Sequence, residues 1–223
     1  MICHPRTLSK PTPSEEEYLK ALYLLEEVGK KVRVKDLANY LQIKASSIVE
    51  MLERLAKQKF VKYDRLGMKL TPKGQNQAIG VIRRHQLAER LLSDVLHYRL
   101  SKVHDIAGEL EHVFNNELAE KIDQVLGKPK TCPHGELIPG HGKTLKSGGK
   151  PLTELKKNEE GLVIRIPEER GLVERLLSLN ILPGTKLKLV EKLPWGTIIV
   201  KCGKTQIVLG KSITSQILVQ SSS

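Results

Sequence analysis

Five side chains with lone pairs to offer crowd the middle of this chain: His85, Glu89, His104, Glu111 and His112, all within 28 residues of a sequence holding only 7 histidines. His85 and Glu89 are four apart, so on a helix they share one face. His104, Glu111 and His112 stand at helical offsets that form a second stripe, beside the apolar one of Val103, Ala107, Leu110 and Phe114. Imidazoles and carboxylates half-sunk at a helix boundary suit first-row divalent metals, and burial there is costly without a cation or partner to neutralise them. A solvated polar face is the competing reading, and for any single His–Glu pair it is the better one. Cys132-Pro133-His134 adds a thiol and an imidazole two residues apart. Such a loop can also bind metal, although a turn around a buried cysteine explains it equally well. Zinc-finger spacing is absent, as are a nucleophile elbow, a phosphate-binding glycine loop and a carboxylate pair beside a pocket. No enzyme is expected.

These residues need helices to position them, and the chain supplies the signals. Ser14 reads as an N-cap with Glu17 completing a capping box, a role that accounts for Glu17 completely. A second helix is expected near Val34–Leu41 and a third, after a three-residue turn, near Ala45–Gln58. Phe60–Leu70 reads as a hairpin around a turn at Asp64–Gly67. Helix, short helix, turn, helix, hairpin is the order of a winged helix-turn-helix, whose helix after the turn enters the major groove. Lys44, Ser46, Ser47, Glu50, Arg54 and Lys57 point away from the apolar stripe of that helix. These include types that contact phosphates and base edges, and Arg65 and Lys69 on the wing add candidate backbone contacts. Thr71-Pro72 starts a long helix expected to reach about His97. Ser101 is expected to cap another helix to Phe114, and a third runs near Asn116–Leu126. Three such helices most often form a dimerisation module.

The charge distribution supports this division. Residues 1–74 hold 15 Lys/Arg against 9 Asp/Glu, residues 75–140 hold 8 against 9, and residues 141–223 hold 14 against 7. A basic head suits a polyanion, and the near-neutral middle does not. Glycine-rich breaks place a linker at 141–152, and short apolar runs beyond it read as a small β-barrel with one helix near Glu169–Leu179. The chain is thus expected to be mainly α with a small β domain: a winged helix-turn-helix at 1–74, a helical dimerisation and metal-binding domain at 75–140, and a barrel at 153–223. Three scattered cysteines argue against a disulfide framework, and no apolar run is long enough for a membrane span. A cytoplasmic protein is expected.

The segments EEYLKALYLLEE, LTPKG, RRHQLAERLL, KVHDIAGELEHV and CPHGELIPG resemble the diphtheria-toxin-repressor family of metal-dependent regulators over the whole chain. The resemblance implies a winged-helix head, a helical dimerisation domain and an SH3-like C-terminal barrel. It implies a homodimer that represses by binding double-stranded operator DNA when loaded with Mn(II) or Fe(II), and so controls metal homeostasis. It further implies an ancillary metal site of His85, Glu89 and His104, helped by Glu168 and in some members by a loop like Cys132–His134. The implied primary site is Glu17, Glu111 and His112. Gly108 stands where the family supplies a Cys or Glu ligand, and glycine cannot coordinate. Glu109 or water would fill the gap, or the primary site is weaker. A winged-helix regulator with degenerate metal sites, or a metal-buffering protein, are the alternatives.

Overall fold

The computed structural model describes residues 10–27, 29, 31–64, 67–140 and 149–221. It divides into two compact units, Met1–Arg84 and His85–Ser223.

The first unit opens with α1 (Pro13–Glu27). Its capping box is not Ser14–Glu17, as the sequence suggested, but Thr12–Glu15: Thr12 N donates to Glu15 Oε2 at 2.9 Å and Glu15 N donates to Thr12 Oγ1 at 3.3 Å. Pro13 explains the choice, since its preset φ and missing N–H suit the first helical position. Glu17 is therefore not the capping residue. After α2 (Val34–Leu41), Gln42 turns the chain at φ 55 into α3 (Ala45–Lys57). Ile48, Leu52 and Leu55 of α3 pack into a core with Leu19, Leu22, Leu37 and Phe60, all but closed to solvent. Strands β1 (Val61–Asp64) and β2 (Gly67–Leu70) form the antiparallel wing, with Lys62 directly opposite Lys69. Thr71 then caps α4 (Pro72–Arg90), its Oγ1 accepting from Gly74 N at 3.1 Å. A Cβ at position 74 would lie 2.1 Å from Phe60 O, so the glycine of LTPKG allows the helix to start against the β1 approach.

In the second unit the long helix expected to reach about His97 changes character before its end. The α-helix stops at Arg90, a π turn covers Leu91–Val95, and His97 takes a left-handed φ of 55. The widened turn keeps Leu92 buried while Val95, Leu96 and Tyr98 stay exposed. Helix α5 (Leu100–Leu110) follows Arg99, so Ser101 is buried within its first turn instead of capping it. The helix also ends earlier than expected, leaving Glu111 and His112 just past its C-terminus. Asn115 caps α6 (Asn116–Val125), accepting from Leu118 N at 2.8 Å. Leu87, Leu92, Val103, Ala107, Phe114, Ile122 and Ile138 form the helical core.

The rest of this unit is built on β3 (Lys150–Pro151), β4 (Glu160–Arg165), α7 (Arg170–Ser178), β5 (Lys186–Lys192), β6 (Ile198–Cys202), β7 (Thr205–Leu209), α8 (Lys211–Thr214) and β8 (Leu218–Ser221). The strands form one antiparallel six-stranded sheet, ordered β3-β8-β4-β5-β6-β7. The sheet is open, a correction to the expected closed barrel. Its β3 edge has two residues, one of them a proline without a donor, so it cannot continue the ladder around to β7. Lys150 and Pro151, expected in the linker, are in that strand; residues 141–148 of the linker lie outside the described residues.

Candidate metal centre and DNA-reading face

The second unit gathers five of the sequence-selected residues around a sixth, the carboxylate of Glu89. Glu89, in the last turn of α4, is fully buried. Its Oε1 lies 3.1 Å from His104 Nδ1, 3.3 Å from His85 Nε2 and 3.3 Å from His134 Nδ1. Two groups of ligand atoms close enough to share an ion meet at this residue: His85, Glu89 and His104, and Glu89, Cys132, His134 and Glu168. Glu168, between β4 and α7, brings its Oε2 to 3.4 Å from His104 Nδ1.

Each element has a local reason to deliver its residue. His85 and Glu89 share a face of α4, and His104 projects from α5. The Cys132–Gly135 turn is closed by Gly135 N donating to Cys132 O at 3.0 Å and by Cys132 N donating to Glu136 O at 2.7 Å. It docks on β4 through Ile166 N donating to His134 O at 2.9 Å. Gly135 has φ 96, and a Cβ there would sit 1.9 Å from Ile164 O, so only glycine lets the two backbones approach. Arg165 pairs with Glu136 at 2.8 Å, a second tie between turn and strand.

The electrostatics suit a cation. Burial alone would raise Glu89, yet the hydrogen bond with His104 and the closely facing imidazoles of His134 and His85 hold it well below the ordinary carboxylate range. For His134, burial works against charging, but the nearby Glu89 carboxylate, then Glu168, raise it. Burial pushes the Cys132 thiol well up, and the Glu89 and Glu168 charges add to that. The proton-sharing is nonetheless incomplete. Among the described residues, Glu89 Oε2 and both ring nitrogens of His134 are buried without a hydrogen-bond partner, the 3.3 Å His134–Glu89 approach being an ion-pair distance without hydrogen-bond alignment. Buried polar atoms are rarely left so. Lone pairs of carboxylate, imidazole and thiolate converging without donors are what a divalent transition ion requires. The residues fit such an ion.

Glu111 and His112 lie beside this cluster. Their carboxylate and ring are 3.7 Å apart, and Glu111 is fully buried. Glu111 Oε2 is 2.5 Å from His85 Nδ1. A carboxylate accepts, so His85 donates through Nδ1 and turns its Nε2 lone pair toward Glu89 and His104, the arrangement of an oriented metal-binding imidazole. Glu109 is exposed, and a side chain at Gly108 would meet nothing within 4 Å. Glu17 is half-buried on α1 of the first unit.

In that first unit Lys44, Ser46, Ser47, Glu50, Arg54 and Lys57 of α3 and its N-cap are all exposed, as is Lys69 on the wing. Arg65 lies outside the described residues. Lys62 was not selected from the sequence, although strand alternation places it on the face of Lys69. Like charges directly opposite on a hairpin are unfavourable by themselves, and an anionic partner relieves them. Missed too was Glu15, whose apparent role as an ordinary acidic residue hides its contacts. The buried Glu15 accepts from Arg54 Nη2 at 3.1 Å and Gln58 Nε2 at 2.6 Å. Next to it, Glu16 pairs with Arg84 at 2.8 Å, both buried.

Three family models cover the chain: the iron-dependent repressor N-terminal DNA-binding domain over residues 10–67, the iron-dependent repressor metal-binding and dimerisation domain over 71–140, and the FeoA domain over 150–221. The diphtheria toxin repressor of Corynebacterium glutamicum is 32% identical over 168 residues, 74% of this chain and 71% of that protein. The iron-dependent repressor IdeR of Mycobacterium leprae is 30% identical over 203 residues, 83% of this chain and 86% of that one. Among solved structures, a manganese-dependent transcriptional repressor in complex with manganese matches with a TM-score of 0.86 at 31% identity, covering 93% of this chain and 100% of that chain. With its buried ligand cluster, its winged head and these likenesses, the chain belongs to the iron-dependent repressor family.

Proposed function

We propose that this protein is a metal-activated repressor that binds operator DNA as a homodimer when loaded with Mn(II) or Fe(II), and that it acts in the cytoplasm. The observation that carries the reading is Glu89: a fully buried carboxylate, ringed by His85, His104 and His134, with one oxygen left without a partner. That is a cation site in a chain whose other unit exposes Lys44, Arg54 and Lys57 on and before its recognition helix and Lys62 and Lys69 on its wing. Exposed Val95, Leu96, Tyr98, Val113 and Val125 on the helical part of the second unit supply apolar surface for the dimer. Among the described residues no helix is long and apolar enough to cross a membrane.

Two ligand sets do the work in this reading. His85, Glu89, His104, Cys132, His134 and Glu168 form the ancillary centre and tie the last turn of α4 to α5 and the C-terminal sheet. Glu111 and His112 form the primary set, which Glu17 of the head completes, as the family resemblance implies. Carboxylate and imidazole oxygen and nitrogen ligands at the primary set suit Mn(II) and Fe(II). The ion supplies the cross-link that orients the head, so that the two α3 helices of a dimer match successive major grooves. Linkage then requires metal and DNA to tighten each other equally, with a coupling of about 1–3 kcal/mol.

The test uses the full chain and a duplex it selects from a random-sequence pool in excess Mn(II), read by fluorescence anisotropy at about 150 mM salt, where non-specific charge binding is weak. Chelation is expected to weaken binding by about 5- to 150-fold, the span of that coupling, and Mn(II) or Fe(II) to restore it. Equal affinity with and without metal overturns the switch.

A further inference from the structure

Glu15 spends its two carboxylate oxygens on two different elements. Oε2 closes the cap of its own helix, accepting from Thr12 N at 2.9 Å. Oε1 reaches α3, accepting from Arg54 Nη2 at 3.1 Å and from Gln58 Nε2 at 2.6 Å. Arg54 and Gln58 are four residues apart, so one oxygen grips one face of the recognition helix at its C-terminal end. The two partners differ sharply in exposure. Glu15 has 3% of its side chain exposed, whereas Arg54 has 51%. Arg54 thus donates to Glu15 through Nη2 while half of its side chain stays exposed.

We propose that Glu15 is a positioning residue for DNA recognition: its buried carboxylate presents the Arg54 guanidinium, and with Gln58 the end of α3, in the orientation that engages the duplex. An arginine on an exposed helix face samples many rotamers, and one already held loses less freedom when it meets a phosphate or a base edge. The remaining nitrogens keep the planar fork that bidentate recognition uses. The inference rests on the reading of α3 as the DNA-contacting helix, and names a residue of α1 that the reading does not include.

The experiment measures the Mn(II)-loaded full chain and four variants, Glu15→Ala, Glu15→Gln, Arg54→Ala and the Glu15→Ala/Arg54→Ala double, against the same selected duplex across a salt series. Thermal unfolding and Mn(II) affinity are followed in parallel. Glu15→Ala is expected to weaken DNA binding about tenfold and to lower the salt slope by about one, as Arg54→Ala does. The double variant is expected to bind no more weakly than Arg54→Ala alone, since its effect passes through the same guanidinium. Glu15→Gln keeps an acceptor for Arg54 and is expected to fall between Glu15→Ala and the unchanged protein. It also serves if the loss of the cap in Glu15→Ala prevents folding: a Glu15→Gln/Arg54→Ala double, made in that case, must then bind no more weakly than Arg54→Ala alone. The proposal is overturned if Glu15→Ala binds DNA equally well, or more tightly, which would make the carboxylate a restraint on Arg54. A full Glu15→Ala deficit persisting without Arg54 overturns it as well. If Arg54→Ala binds DNA undiminished, α3 contact through this residue fails, and the positioning role with it. A protein that binds DNA independently of metal but keeps the Glu15–Arg54 coupling contradicts only the metal switch.

Discussion

Buried carboxylates are handled in opposite ways in the two units. In the head, each of the two buried glutamates meets a permanent donor: Glu15 has Arg54 and Gln58, and Glu16 has Arg84. In the second unit Glu89 is surrounded by imidazoles and a thiol, and one oxygen has no partner. Arginine stays charged at every relevant pH and cannot be a ligand. Histidine and cysteine hold protons that a metal can displace. The first unit therefore balances its buried charge from within, whereas in the second, on the function proposed above, the balance is left to a cation from outside. That contrast separates scaffold from sensor more clearly than burial does, because Glu16 and Glu89 are almost equally closed to solvent.

The sharpest way to break the comparison is to neutralise one carboxylate in each unit. Glu16→Gln strands the buried Arg84 charge and is expected to destabilise the protein by about 3–5 kcal/mol, with or without metal, in chemical denaturation. Glu89→Gln is expected to act mainly on the metal: affinity at the cluster falls by on the order of 100-fold, read by calorimetry, while the metal-free protein loses less stability than Glu16→Gln costs, because imidazole partners can give up their protons where Arg84 cannot. If both variants lose stability alike and metal binding survives in Glu89→Gln, the two carboxylates are the same kind of structural ion pair.

A pH series sharpens the second half of the contrast. Cys132 and His134 are both raised, the thiol chiefly by burial and the imidazole by Glu89 against the opposing pull of burial, so each holds its proton more tightly in the metal-free protein. A metal must displace those protons, and affinity should therefore rise with pH, releasing about two protons per ion at the cluster near neutrality. Calorimetry in buffers of different ionisation enthalpy counts them; release of none rules out Cys132 and His134 as ligands. A smaller effect is expected at position 108, where a side chain has open space. Gly108→Glu should raise metal affinity at Glu111 and His112 about tenfold without loss of stability. An unchanged affinity would show that this set does not lack a ligand there.

Much of the scaffold was legible beforehand, because amphipathic periodicity and turn chemistry are local. The order of helices, the wing, Asn115 and Glu169 beside their helices, and the ligand types on α4, α5 and the Cys132–His134 turn can all be seen in the chain. Errors clustered where two local solutions compete. Thr12–Glu15 and Ser14–Glu17 have the same capping spacing, and Pro13 decided between them. The π turn after Arg90 answers to packing on both of its faces, which no single-helix pattern encodes. Closure of the sheet depended on a two-residue edge strand whose pairing partner lies almost seventy residues away.

By itself, then, the sequence determined which residues are donors and acceptors, which faces of the helices are apolar, and the family to which the chain is related. Tertiary structure alone decided that Glu89 is common to both ligand groups, that Glu111 orients His85, and that Glu15 grips Arg54. The reason is physical. Periodicity along a chain says which face will be buried, but the fate of a buried charge depends on which other face it is buried against, and that is settled only when the helices pack.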